Sequence, residues 1–226
     1  MKITYLGHAS LHIEFEETNI IVDPFISGNS LASAINISDL KADYILVTHA
    51  HQDHILDVEQ IAKSNNATVV ANYEVANHFG EKGIDVFAMN HGGTYKTETF
   101  SAKYVNAIHT SSFPDGSYGG QPGGFVVTSK SGKSIYIAGD TALTFDMKLI
   151  PLQTTLDLAI FPIGDTFTMG VDDAIIASDF VECDTILGYH YDSFPPIQID
   201  KEEAKQKFAN RHKELLLLEI GKSIEL

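Results

Sequence analysis

The segment Tyr44-Ile45-Leu46-Val47-Thr48 reads as a buried strand and runs directly into His49-Ala50-His51-Gln52-Asp53-His54. No other stretch constrains the chain as strongly, because this one puts four potential metal ligands at the end of a strand. Side chains alternate along an extended segment, so His49 and His51 point the same way and can share one ion. The chain then turns at Asp53 and His54 toward a second. Imidazole and carboxylate ligands suit zinc, manganese or iron. The competing reading is a polar loop that happens to be rich in histidine. Three His and one Asp within six residues argue against it.

The strand pattern extends on both sides of this junction. Residues 2 to 6, 11 to 15 and 20 to 22 read as short strands of a meander, with Leu11, Ile13 and Phe15 alternating against His12 and Glu14. Asp23-Pro24 ends the third strand, and a Ser/Asn-rich loop follows to about residue 40. After the junction, Ile55, Val58, Ile61 and Ala62 fall on one helical face, residues 68 to 71 form a strand, and 74 to 81 a helix ending at Gly83. Strands return near 84 to 88, 94 to 99 and 101 to 108, before a loop holding Gly116, Gly119, Gly120, Gly123 and Gly124. A hairpin spans 125 to 129 and 134 to 138. Helices near 145 to 152, 171 to 181 and 200 to 210 then alternate with strands at 157 to 161, 184 to 188 and 214 to 219. Each half passes from a meander to alternating strands and helices. That pattern suits an α/β architecture of two mixed sheets packed face to face with helices on both outer faces, as one domain over residues 1–226.

Composition narrows the function. The chain carries 15 basic against 30 acidic residues, a net charge of −15, with Arg211 its single arginine. No extended phosphate-tracking surface is available, so nucleic acid is not an expected partner. Two divalent ions would still make a pocket locally electropositive, which leaves an anionic small substrate open. The lone Cys183 excludes an intrachain disulfide or a cysteine zinc cluster and is compatible with a reducing cytoplasm. The N-terminus alternates like a strand rather than a signal peptide, and no apolar run is long enough to span a bilayer. The expectation is a soluble cytoplasmic protein with a small-molecule substrate and no membrane partner; a homo-oligomer is left open.

A two-metal site needs more ligands than the junction holds, and others arrive at strand ends. His109 closes the strand through Ile108, Asp140 follows the strand ending at Ala138, and His190 follows Gly188-Tyr189. With these residues the sequence resembles the metallo-β-lactamase superfamily of metal-dependent hydrolases over nearly its whole length. Gly7-His8, Ile21-Val22-Asp23-Pro24-Phe25, Ala138-Gly139-Asp140-Thr141, Phe161-Pro162-Ile163-Gly164-Asp165, Phe167-Thr168-Met169-Gly170 and His190-Tyr191 resemble its small ascorbate-phosphate-lactonase-like branch. The resemblance implies a four-layer αβ/βα sandwich with two divalent transition-metal ions, zinc foremost with manganese or iron as alternatives. By the same resemblance His49, His51 and His109 hold the first ion, Asp53, His54 and His190 the second, and Asp140 bridges them. Many β-lactam-cleaving members place cysteine where this chain has Asp140, which speaks against an antibiotic substrate. The di-iron oxygen-reducing branch replaces the second motif histidine by glutamate, so His51 favours hydrolysis.

The expected reaction is hydrolysis of a small ester, lactone or phosphodiester by metal-activated hydroxide, with Asp53 also orienting the nucleophile and passing a proton to the leaving group. Asp23 can accept the free ring N–H of a ligating histidine or cap an Asp-Pro turn. His8 lines the pocket or is structural, whereas His12, His78, His91 and His212 read as surface or packing residues. Ser111, Ser112, Tyr118, Thr168, Met169, Tyr191 and Phe194 are loop candidates for substrate contact. The alternatives are a non-catalytic metal-binding or ligand-sensing module of the same fold and a nuclease. The second is opposed by the acidity and by the lack of room for an RNA-gripping arm.

Overall fold

The computed structural model describes residues 1–226. The chain forms two seven-stranded sheets. In the first, β1 (Lys2–Gly7), β2 (Ser10–Phe15) and β3 (Thr18–Val22) make the antiparallel meander, and β4 (Tyr44–Leu46), β5 (Thr68–Asn72) and β6 (Val86–Met89) extend it in parallel. In the second, β7 (Thr94–Lys96), β8 (Phe100–Asn106), β9 (Gly123–Ser129) and β10 (Ser134–Ile137) are antiparallel, and β11 (Leu158–Pro162), β12 (Thr185–Tyr189) and β13 (Glu214–Leu216) continue in parallel. Both sheets therefore repeat one plan, a meander feeding parallel strands. A last strand, β14 (Ser223–Glu225), pairs with β1 and closes the edge of the first sheet.

Three apolar clusters define four layers. One fills the space between the sheets with Ile3, Leu11, Ile13, Phe125, Val127 and Leu158 among its members. A second packs the outer face of the first sheet against α1 (Gln52–Ile55), α2 (Val58–Asn65) and α3 (Tyr73–Gly80), and a third packs the second sheet against α4 (Val171–Phe180) and α5 (Lys201–Ala209). Buried on both faces, the parallel strands read as unbroken apolar runs such as Leu158-Ala159-Ile160-Phe161. The helices begin where polar caps stand. Asn72 accepts from the Val75 N–H at 2.9 Å, and Asp200 accepts from Glu202 and Glu203 at 3.0 and 2.9 Å. The expected four-layer αβ/βα sandwich is thus the observed one.

Two local differences have physical causes. The helix expected near 145 to 152 is a single 3-10 segment, Phe145–Leu149, that ends just before Pro151, which has no N–H to carry the hydrogen-bond ladder further. The strand expected over 214 to 219 stops at Leu216, where its pairing with β12 ends.

Candidate metal centre

The ends of β3, β4, β8, β10 and β12 open on one side of the sandwich and carry the motif residues there. After β4 the chain stays extended through His51, which precedes the four-residue helix α1 holding Asp53 and His54. His49 and His51 therefore face each other, with Nε2 of His49 3.0 Å from Nδ1 of His51. The loop after β8 brings His109 to them, its ring centroid 5.1 Å from that of His49 and 5.0 Å from that of His51. These three form one group of mutually close ligand atoms; Asp53, His54 and His190 form a second, together with His8. Asp140 lies between the groups. Its Oδ2 is 3.0 Å from Nε2 of His190, 3.4 Å from that of His54, 3.6 Å from that of His109 and 4.0 Å from that of His49.

The backbone is shaped to make this convergence. Gly139 has φ +67°, and a Cβ there would stand 2.6 Å from the Gly123 carbonyl oxygen, so only glycine allows the turn that delivers Asp140. His8, Asp23 and His190 adopt the left-handed region without being glycine, with φ of 53°, 42° and 55°. The His190 N–H donates to the His8 carbonyl at 2.8 Å, which links the two sheets and brings the two rings, tilted by 42°, to a centroid distance of 4.1 Å.

Asp23 is fully buried and accepts three hydrogen bonds, from the Thr48 N–H (2.8 Å), the Thr48 hydroxyl (2.6 Å) and Nδ1 of His54 (2.8 Å). Thr48 Oγ1 is in turn 3.0 Å from Nδ1 of His49. One carboxylate thus orients a histidine of each group, one directly and one through a hydroxyl. Thr48, Thr110 and Ser193 were not legible as site residues. Thr110 Oγ1 is 3.3 Å from Nε2 of His51, and Ser193 Oγ is 3.0 Å from Nδ1 of His8, whose Nε2 is 3.0 Å from Asp53 Oδ2. Tyr104 donates to the Thr48 carbonyl at 2.8 Å from within the core.

The donor set fits divalent cations. Nε2 of His54, Nε2 of His190 and Oδ1 of Asp140 are buried without a hydrogen-bond partner, and native proteins rarely leave such atoms unpaired unless an ion or water takes them. Nitrogen and oxygen donors alone, with no sulfur, match zinc, manganese or iron.

Residues 2–190 match the family described as the beta-lactamase superfamily domain. A metal-dependent hydrolase of Christiangramia forsetii is 63% identical over 100% of both chains. The chain belongs to the metallo-β-lactamase superfamily. Another member, a metal-dependent hydrolase of Thermus thermophilus, is 43% identical over 100% of this chain and 99% of its own. Among solved structures of the superfamily, the metallo hydrolase Igni18 of Ignicoccus hospitalis superposes with a TM-score of 0.89 at 30% identity, covering 99% of this chain and 97% of that one.

Within this member of the superfamily, the loop residues expected near substrate divide by their contacts. Ser111 is buried; its hydroxyl accepts from the Ala50 N–H at 3.1 Å and donates to the Gly119 carbonyl at 2.8 Å, so it braces the loop behind the histidine motif. Gly119 is packed so closely there that a Cβ would meet that of Ala50 at 2.3 Å. Ser112 pairs with Tyr118 in a short bridge, and Thr168 donates to the Met169 carbonyl at 3.2 Å. Tyr191 is buried, with its ring 6.4 Å from Tyr5, while Tyr118 and Phe194 are exposed. His78 stacks on Phe113 at 4.1 Å and His91 donates to the Pro122 carbonyl at 2.9 Å, as packing residues do. No helix of the chain is long and apolar enough to cross a membrane.

Charge in the metal-free site is set by burial and by three carboxylates. Burial holds His49 well below the usual imidazole range and, reinforced by His190, pushes His8 down to about 4. Burial likewise lowers His51 and His109. For His54 burial acts downward but the Asp140, Asp23 and Asp53 carboxylates outweigh it and hold the ring well above that range. For Asp140 burial acts upward and is overcome by His190 and His54; for Asp53 it is overcome by His54 and His8. A proton on His54 thus does for the metal-free site what a cation would do.

A pH dependence follows for metal-free protein. A histidine whose folded pKa lies below its unfolded value contributes stability above the unfolded value that is lost as pH falls. His8 sets the window, from 6.5 down to about 4, and His49, His51 and His109 act in the same sense. His54, whose folded value is raised above 6.5, acts in the opposite sense near the top of that window and adds little slope toward its bottom, where it is protonated in both states; the four lowered histidines outweigh it. Urea unfolding of chelator-treated protein should give a lower midpoint at pH 5 than at pH 7; an equal or higher midpoint at pH 5 contradicts this charge state.

Proposed function

We propose that the chain is a two-metal hydrolase of small molecules. The observation that carries this reading is the Asp140 carboxylate set among Nε2 atoms of both histidine groups, with buried nitrogen and oxygen atoms left unpaired around it. The relatives, named metal-dependent hydrolases throughout, support it. His49, His51 and His109 would hold one divalent cation, Asp53, His54 and His190 the other, and Asp140 would face both; zinc is the first choice, with manganese or iron as alternatives. Such cations, when bound, supply activation of a water and polarisation of the electrophilic oxygen.

The chain's own residues do the rest. Asp23 keeps Nδ1 of His54 as a hydrogen-bond donor, so the lone pair of Nε2 is free to face the centre once the ring gives up its extra proton. Asp53 is the only carboxylate of the second group that reaches toward solvent, with its side chain 28% exposed. Its Oδ2 can take a proton from the attacking water and deliver it to the leaving oxygen. His8 fixes that carboxylate from behind, its ring held between Ser193 and Asp53. The net charge of −15 favours a small-molecule partner over nucleic acid.

The test is a panel of esters, lactones and phosphodiesters presented to protein reconstituted with zinc or manganese. Turnover should vanish on chelation and return with the ion; turnover that persists through exhaustive chelation contradicts the reading.

A further inference from the structure

The loops around the two histidine groups span residues 7–9, 23–29, 47–57, 107–122, 138–144, 163–170 and 190–200, and none of the chain's 15 Lys and Arg residues falls in them. Lys201, just beyond the last, is bound to Asp192 at 2.9 Å and lies over the Tyr191 ring. Three carboxylates, Asp115, Asp165 and Asp200, stand exposed on the same loops. A phosphate or carboxylate borne by a substrate away from its scissile bond would find no counter-charge on these loops, only like charges.

What the loops present is hydrocarbon. Leu56, Ile108, Tyr118, Phe167 and Phe194 are all exposed, Tyr118 at 64% and Phe167 at 55%. They belong to loops joined edge to edge around the centre. Thr110 reaches His51 at 3.3 Å, the Ala142 N–H donates to the Ile108 carbonyl at 3.0 Å, and the Met169 N–H donates to the Thr141 carbonyl at 2.9 Å. Thr166 Oγ1 donates to the Pro196 carbonyl at 3.0 Å, which ties the Phe167 loop to the Phe194 loop. The Phe194 ring lies 5.4 Å from His8 and 6.1 Å from Phe25, and the Phe25 and Leu56 side chains both crowd Gly28. Collected on linked loops around one polar centre, these side chains form an apolar rim to it.

We propose that this rim selects an uncharged ester or lactone whose body beyond the scissile bond is hydrocarbon. The inference rests on the hydrolase reading above and narrows its substrate class, setting aside phosphorylated substrates. The reaction needs only water: its oxygen bonds to the acyl carbon, the acyl carbon–oxygen bond breaks, one water proton goes to the leaving oxygen, and the products are a carboxylic acid and an alcohol, joined in one molecule when a lactone opens.

The test uses the full chain loaded with zinc and a series of γ-alkyl lactones of increasing chain length, beside a matched series whose chains end in phosphate. kcat/KM is measured for both, and binding of the corresponding non-hydrolysable cyclic ketones is followed by ligand-observed NMR. The expected result is a rise of about two- to fourfold per methylene in kcat/KM and in ketone affinity, with the phosphate-ended members the poorer substrates. Phe167→Lys and Phe194→Ala, both at exposed positions, should flatten that rise while leaving the thermal midpoint near that of the parent. A flat series, or better turnover of the phosphate-ended lactones, overturns the inference and leaves the hydrolase reading standing. Absence of turnover across both series in protein shown to carry two ions overturns the inference; if the esters and phosphodiesters of the wider panel also go unturned, the hydrolase reading falls with it. A rim buried in a dimer that Phe167→Lys disperses overturns the substrate role of the rim.

Discussion

Asp140→Ala is expected to lower bound metal to well below two ions per chain and to reduce hydrolysis by about a thousandfold or more. The carboxylate is 3% exposed and approaches Nε2 of four histidines, two from each side, within 4.0 Å. Asp53, by contrast, comes within 3.9 Å of His8, His54 and His190, all on the second side, and of no first-group ring nitrogen. Deleting Asp140 takes from both groups the one carboxylate they share, so each ion loses a ligand and the second group loses its closest negative charge. Asp53→Asn makes the complementary case. It should retain the first ion while losing about a hundred- to ten-thousandfold in kcat through the missing proton carrier. Metal content by mass spectrometry separates the two variants, and an Asp140→Ala protein that keeps two ions contradicts the bridging role.

Asp23→Ala should destabilise the fold by about 3 kcal/mol, an effect of a different kind because this carboxylate touches neither metal group's free face. It accepts from Thr48 twice and from His54 once, and all three donors lie in wholly buried residues. Removing the acceptor orphans them together, and the His54 ring loses the partner that fixes its orientation. Metal affinity should fall about ten- to a hundredfold as well. Asp23→Asn retains a single acceptor oxygen and should lie between parent and Ala in both measurements. Urea unfolding gives the stability and competition with a chromogenic chelator gives the affinity; an Asp23→Ala midpoint equal to that of the parent removes Asp23 from the account.

The parts of the site that could be read in the sequence were those written locally. His49 and His51 share an orientation because the backbone is extended between them, and Asp53 and His54 diverge because α1 begins at Gln52. The fold was legible for a related reason: meander and parallel strands leave different hydrophobic patterns, and both halves carry both. His109, Asp140 and His190 stand alone in sequence, and only the resemblance joined them to the motif, beside which the fold places them. Thr48, Thr110 and Ser193 left no signal, since each hydroxyl has meaning only through a partner, and two of those partners lie 59 and 185 residues away. The strand Ser223–Glu225 was missed because three residues carry no periodicity; it exists through its pairing with Lys2–Thr4.

The central claim is that these ligands hold two cations, and metal counting tests it most directly. Protein reconstituted with zinc or manganese, freed of excess ion and analysed by inductively coupled plasma mass spectrometry with quantitative amino-acid analysis, should carry close to two ions per chain. One ion or none after reconstitution, in folded protein, would contradict it.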